Sequence, residues 1–457
     1  WDSNKGIITV TRTWDHIGSE DHLSSVQRSY KELPYTNSNG DYSSAPKTVV
    51  ENYDVIPGHD PILSTIQKIT RAIWQGRLVQ ETENIDWLPN NNPADYHYQA
   101  YTSTFQVSYK EWDSNKGIIT VTRTWDHIGS EDHLSSVQRS YRALRQDPVT
   151  NSSILVSVVE TYDVYGPGSL LYSGPTTVQW YFNKVNNEGQ VIQVVYNYER
   201  INGIDYLSTI VESKKAWDLI KGTVTESWIY DWISDAKYLS SYQKRYKEEG
   251  WTHTNGTPSS SVKTVIETYD VADGQPLPIA SSVQKICKAV IEGIVNEETE
   301  NFDVISATEW YLNNIQISHK TWDTGKGIVT IIKTFDYFGG NSYEVTSIQK
   351  VYKSLALVIT NMGSPTELRL VTVIEGYDPS DTNLSFPVSI QKDYSVIDGT
   401  TLKRASAYYD YTGTGELLYA VNFSYKIIPE HRKVSDGSNP VVTITVIDSY
   451  EGGSTTS

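Results

Sequence analysis

Cysteine and methionine are nearly missing from this chain: Cys287 and Met362 are the single examples among 457 residues. One thiol can build neither an intrachain disulfide framework nor a cysteine metal cluster. Such scarcity in a Tyr- and Thr-rich chain suits an extracellular or cell-surface protein. No apolar run approaches the roughly 20 residues of a spanning helix, so membrane insertion is not expected. Basic residues are outnumbered, 38 against 55 acidic, for a net charge of −17. Nucleic-acid binding needs a basic footprint, and this balance argues against it. The chain also lacks HExxH, GxSxG, a Walker loop and GxGxxG. We therefore expect no enzyme, no catalytic residue and no metal site. It begins at Trp1 with neither Met nor a signal-like segment, which reads as a processed, trimmed or incompletely determined chain.

What is present is a repeat. Trp112-Asp113-Ser114-Asn115-Lys116-Gly117 opens its clearest copy, and the same W-D-x-x-K-G lead-in starts at Trp1, Trp217 and Trp322. Self-similarity at a period near 105 residues outranks any local motif in deciding the fold. It divides the chain into repeats 1–111, 112–216, 217–321 and 322–427, with a partial repeat at 428–457. Residues 1–30 and 112–141 are identical. That identity reads as a recent duplication, or as one stretch entered twice when the sequence was assembled.

A shorter unit lies inside each repeat. An aromatic or apolar residue followed by an acid ends an extended run at Asp15, Asp54, Asp86, Asp126, Asp163 and Asp231. The series continues at Asp270, Asp303, Asp336, Asp378 and Asp410, with Glu199 filling one gap. A second mark follows each acid, an apolar residue and then Gln, as at Gln27, Gln67, Gln138, Gln284 and Gln349. Gly, Pro, Asn and Ser lie between the two marks. Period-two alternation on both sides makes each unit a strand, a turn and a strand. Residues 276–292 also show helical spacing, but sister units favour a strand there. The fold expected is all-β: a tandem array of β-hairpins of about 36 residues each, three per long repeat, coiled or layered. An untwisted sheet of some 25 strands is improbable. Four tandem β-sandwich domains are the alternative.

The regular acid is the tempting functional residue. Catalysis needs a carboxylate once or twice with a tuned neighbour, whereas these recur in phase, so we read them as turn acids accepting backbone N–H bonds. A repeated Ca²⁺ site is the only cofactor considered, and the oxygen-rich stretches 37–41 and 435–439 fit it poorly. The Gln series is expected to bond across strands. Arg28, Arg139, Lys244 and Lys350 are expected to face Glu51, Glu160, Glu267 and Glu375. The Trp residues of the lead-in and of the Trp-Asp ends are expected in core packing. Asn151, Asn255, Asn383 and Asn422 begin N-x-S/T sequons, which matter only if the source glycosylates secreted proteins.

Tyr409-Asp410-Tyr411-Thr412-Gly413-Thr414-Gly415-Glu416-Leu417-Leu418 resembles the YD repeats of Rhs, teneurin and Tc-toxin shell proteins. That resemblance implies hairpins wound into a hollow shell. It covers the Tyr-Asp position and little more, since most units lack the family's Gly-Arg-Leu half.

Two function classes follow. The first is a structural, self-assembling protein of a fibre, surface layer or stalk, its partner a second copy of itself. The second is a binding module or adhesin holding carbohydrate on exposed Tyr and Trp. The end of the chain carries the candidate assembly strand, 440–448, with Val441, Val442, Ile444, Val446 and Asp448. It aligns with the first strand of a hairpin whose return strand is missing, and such an edge can template another chain.

Overall fold

A computed structural model describes residues 2, 5–32, 35–36, 42–43, 46–89, 98–249, 251–252, 258–259, 262–272, 274–291, 293–307, 309–337, 343–360, 365–381, 383–398, 401–411, 416–427 and 444–451. These residues are strand and turn throughout, with no helix among them. Of 32 strands, seven are two-residue pieces in loops, which leaves 25 long strands labelled here in chain order. They begin with β1 (Thr9–Ile17), β2 (Glu20–Glu32), β3 (Lys47–Asp54), β4 (Ile62–Trp74), β5 (Arg77–Pro89) and β6 (Tyr98–Asp113). Next come β7 (Gly117–Ile128), β8 (Glu131–Gln146), β9 (Ser153–Tyr165), β10 (Thr177–Val185), β11 (Val191–Ile201) and β12 (Ile204–Asp218). The middle holds β13 (Gly222–Ile233), β14 (Ala236–Glu248), β15 (Lys263–Tyr269), β16 (Ser282–Ile291), β17 (Ile294–Ser306) and β18 (Glu309–Asp323). The series ends with β19 (Gly327–Tyr337), β20 (Tyr343–Ile359), β21 (Pro365–Tyr377), β22 (Ser389–Asp398), β23 (Thr401–Tyr411), β24 (Glu416–Ile427) and β25 (Ile444–Glu451).

Each strand pairs antiparallel with the next in sequence, so one meandering sheet carries the whole chain. Tandem sandwich domains are therefore corrected to one sheet. The repeat boundaries at 112, 217 and 322 fall inside β6, β12 and β18. The 276–292 stretch forms strand β16. The strand Ile444–Glu451 is not unpaired: it pairs with β24 rung by rung, and its other edge has no partner among the described residues. Val441 and Val442 lie outside the described residues.

Local chemistry sets the turns. Asn202-Gly203 takes positive φ at both positions (52° and 80°), the I′ geometry that matches strand twist. A β-bulge then interrupts most hairpins just before the aromatic–acid dipeptide, as at Thr13/Trp14, Asn52/Tyr53, Asn84/Ile85 and Ile229/Tyr230. In these four the extra residue is a serine whose hydroxyl donates to the carbonyl across the pair: Ser24 to Thr13, Ser64 to Asn52, Ser103 to Asn84 and Ser240 to Ile229. Bulges bend a strand and increase its twist, and repeating them at one end of successive hairpins coils the strip.

The coil is visible in what its ends touch. The lower end of β12 meets the upper end of β1, β16 meets β5, β18 meets β7, and β20 meets β9. Each pair lies eleven strands apart, so one turn holds about eleven strands and about 53 Å of circumference at about 4.8 Å per strand. Successive turns meet rim to rim, the lower rim of one on the upper rim of the turn before. One sheet face is sealed, with Val49, Val107, Ile119, Val158, Ile210 and Val265 at 0–2% exposure beside buried glutamates such as Glu160 and Glu267. We take it as the concave face, because there side chains two strands apart converge, as in Lys184–Glu212 and Lys47–Glu83.

Candidate functional site

The lead-in forms a hairpin turn at the lower rim. Its aspartate accepts backbone N–H bonds: Asp113 from Asn115 and Lys116 at 2.8 and 3.0 Å, and Asp218 from Ile220 and Lys221 at 2.8 and 2.9 Å. Asp323 does the same for Gly325 and Lys326. The following glycine has positive φ, 77° at Gly117 and 87° at Gly327, where a Cβ would be strained. This turn aims the lysine at the concave face. Lys5, Lys116, Lys221 and Lys326 each bond a buried glutamate two or three strands on: Glu51, Glu160, Glu267 and Glu375.

Two tyrosines complete each cluster. Tyr141 and Tyr162 donate to Glu160 at 3.1 and 3.3 Å, Tyr246 and Tyr269 to Glu267 at 3.0 and 2.8 Å, and Tyr352 and Tyr377 to Glu375 at 2.9 and 2.6 Å. Lys116 also sits 5.0 Å from the centre of the Tyr141 ring. A buried carboxylate survives when its oxygens are bonded by donors, and here every donor is local and repeated. Burial alone would push Glu267 up, but the bonds from Lys221 and Tyr269 outweigh it and hold the carboxyl below its ordinary value. Glu375 behaves in the same way against Lys326, Tyr377 and Tyr352. Burial and the neighbouring Glu160 raise Tyr141 to about 12, so it stays a donor near neutrality.

The cross-strand expectation for these glutamates needs correction. Arg28, Arg139, Lys244 and Lys350 do stand opposite Glu51, Glu160, Glu267 and Glu375 in the register. Their charges instead lie over the neighbouring tyrosines, Tyr53, Tyr162, Tyr269 and Tyr377, at 4.8–5.5 Å. The carboxylates are already taken from the other side by the lead-in lysines. On the opposite face the glutamines form short ladders. Gln27, Gln67 and Gln179 donate to Asn52, Asn84 and Asn197, which donate onward to Thr65, Thr104 and Thr209.

The aromatic–acid series has a different role from the turn caps expected of it. Among the described residues Asp378 is the one aspartate of the eleven that accepts a turn amide, from Ser380 at 2.8 Å. Six instead reach the next turn of the coil: Asp15–Lys215, Asp86–Lys288 and Asp126–Lys320 at 2.6–2.7 Å, Asp54–Lys247 at 3.6 Å, Asp163–Lys353 at 3.5 Å, and Asp231–Lys426 at 2.5 Å. Each pair joins strands eleven apart. Asp303 accepts from Asn313 within its own hairpin, and Asp270, Asp336 and Asp410 carry no side-chain bond among the described residues. The seam is also aromatic. Trp217 stacks on His22, and Trp322 on His133, both at 3.8 Å and 10°. Glycine is needed where the turns touch: a Cβ on Gly327 would stand 2.3 Å from the carbonyl oxygen of Gly166, and one on Gly222 would stand 2.7 Å from Pro57. Trp217 and Trp322 are thus seam residues, not core, and Trp112, with no turn beneath it among the described residues, is 75% exposed.

The seam lysines left a signal that the sequence reading missed. Each stands four residues after the Gln position, on the same face at period two, as in Gln316–Lys320 and Gln349–Lys353. The rule places Lys31, Arg71, Lys110 and Arg142 in the first turn. No group of three or more His, Cys, Asp or Glu side chains able to hold a metal occurs among the described residues, and 37–41 and 435–439 lie outside them. Ile444 and Val446 lie in the edge strand β25, and Asp448 there faces Lys403 at 3.6 Å.

No protein-family model matches this chain, and no curated protein matches its sequence.

Proposed function

We propose that the chain is a structural, self-assembling protein of the cell surface or extracellular space, a subunit of a fibre, layer or stalk, with no catalysis and no cofactor. One observation carries the reading: the polar clusters recur in phase with the repeat and are bonded among themselves. The Lys–Glu–Tyr–Tyr arrangement is built four times and the seam ion pair six times. Enzymes concentrate an unrepeated acid, base or nucleophile in one cleft. Trp112 and Phe386 are exposed on the two rims, whereas Trp322 and His133, their counterparts, cover each other where turns meet, which favours assembly over a sugar-binding platform.

A second reading, a segment of a hollow shell resembling YD-repeat proteins, is supported by hairpins coiled in a strip with the aromatic–acid pair at the turn. Negative-stain microscopy of the purified chain tests both. Regular fibres or sheets are expected. Closed hollow particles would favour the shell, and particles of single-chain size at all concentrations, with turnover in a broad hydrolase screen, would end the structural reading.

A further inference from the structure

The seam between turns is a two-sided surface, and among the described residues the lower rim of the first turn and the upper rim of the last are unmated. On the upper rim of the last turn, Asp270, Asp303, Asp336, Asp378 and Asp410 occupy the positions of the six paired acids but reach no lysine among the described residues. On the lower rim of the first turn, Arg71, Lys110 and Arg142 are exposed and, among the described residues, bond no acid, while Lys31 donates to Thr48. Acids and cations both recur at every second strand, about 9.6 Å apart. The non-polar parts of the seam are open too: Trp112 is 75% exposed, and nothing lies within 4 Å of a Cβ built on Gly117. The corresponding Trp322 and Gly327 are packed against the turn before.

We propose that the lower rim of one copy docks on the upper rim of a second copy, repeating between chains the contact the chain makes between its own turns. This rests on the self-assembling reading above and names its surface. Edge-to-edge addition of β25 to β1 is the weaker geometry. The meander alternates through 25 strands, so β1 and β25 run the same way, and a copy continuing the coil would pair them parallel in a sheet that is otherwise antiparallel. Rim docking needs no such pairing.

Strand direction also sets the register. A copy that keeps the eleven-strand offset and avoids overlapping β25 leaves one strand width between β25 and its own β1. Lys31, Arg71, Lys110 and Arg142 then meet Asp303, Asp336, Asp378 and Asp410. In the same register Trp112 falls over Phe386, which stands five residues before Gln391 as His133 stands five before Gln138. Phe386 is 67% exposed in the single chain. A heterologous contact of this kind does not close, so it builds a filament along the coil axis.

Sedimentation velocity of the full chain at low salt, from about 1 to 100 μM, reads the association, with circular dichroism as the control for folding. Species heavier than the 51.6 kDa chain are expected to grow with concentration and to shrink in salt. Arg71→Glu and Lys110→Glu should each weaken association at least tenfold, and Trp112→Ala similarly, with unchanged circular dichroism. Asp336→Lys should restore association to Arg71→Glu. A chain that stays monomeric overturns both this proposal and the structural reading. A chain that polymerises regardless of all three rim variants overturns rim docking alone. Rescue of Arg71→Glu by Asp303→Lys in place of Asp336→Lys overturns the register and the proposal as stated.

Discussion

Residues 1–30 and 112–141 have one sequence and two environments. In the second copy Val121 is 3% exposed and Ile119 fully buried; in the first, Val10 is 48% exposed and Ile8 half-buried. Strand β7 lies between β6 and β8, whereas β1 has a neighbour only at β2 among the described residues. Yet the upper ends of the two copies match. His22 and His133 each carry a tryptophan from the next turn in the same stacked geometry, and Asp15 and Asp126 each hold its lysine. Lateral neighbours therefore decide mid-strand burial, and the turn above decides the rim. Neither is a property of the thirty residues themselves.

The largest effect expected within this comparison is at the lead-in glycines. Gly327→Ala sets a Cβ against backbone of the turn below at positive φ and should cost about 4 kcal/mol. Gly117→Ala meets open space and should cost only the left-handed backbone penalty, about 1–2 kcal/mol. Equal losses in chemical denaturation would mean that the seam is not packed as described.

The twin strands give the next contrast. Ile119→Ala should cost about 3 kcal/mol and Ile8→Ala about 1 kcal/mol, because only the first leaves a sealed cavity. Comparable shifts in denaturation midpoint would show that β1 is covered as β7 is.

Glu267 sharpens the comparison between buried clusters and rim charges. Glu267→Gln leaves Lys221 and two tyrosine hydroxyls short of an acceptor charge and should cost about 2 kcal/mol near neutral pH. Its carboxyl is depressed in the fold, so the stability it adds is full above the unfolded value near 4.5 and is lost as pH falls through the lower folded value. A pH series should show wild type and variant converging in acid. Parallel curves down to pH 2 would contradict the assignment.

The smallest effect separates the two rims. Asp126→Asn breaks its pair with the half-exposed Lys320 and should cost about 1 kcal/mol. Asp336→Asn, which has no such partner, should change the dilute single chain by a few tenths at most. Hydrogen exchange should place the first loss at β7 and β18 alone, and a loss of equal size at Asp336 would remove the distinction between mated and open rims.

The hairpins could be read from the sequence because their causes are local. Period two sets the faces, Asn-Gly and the lead-in glycines set the turns, and the recurring acid and Gln mark strand positions. The Lys–Glu spacing of 44–49 residues was also present, but its meaning depends on which strands lie side by side. The bulge serine three residues before Gln27, Gln67, Gln106, Gln138 and Gln243 was equally visible and unread. What the tertiary structure decided is the coil. Twist and bulges add up over eleven strands to bring Asp126 to Lys320, 194 residues away, and no window of sequence contains that sum. The same acid residue type became a turn cap at Asp378, a seam anchor at Asp126 and an open rim charge at Asp336. The difference lies in the turn of sheet above each one, which the local sequence does not encode.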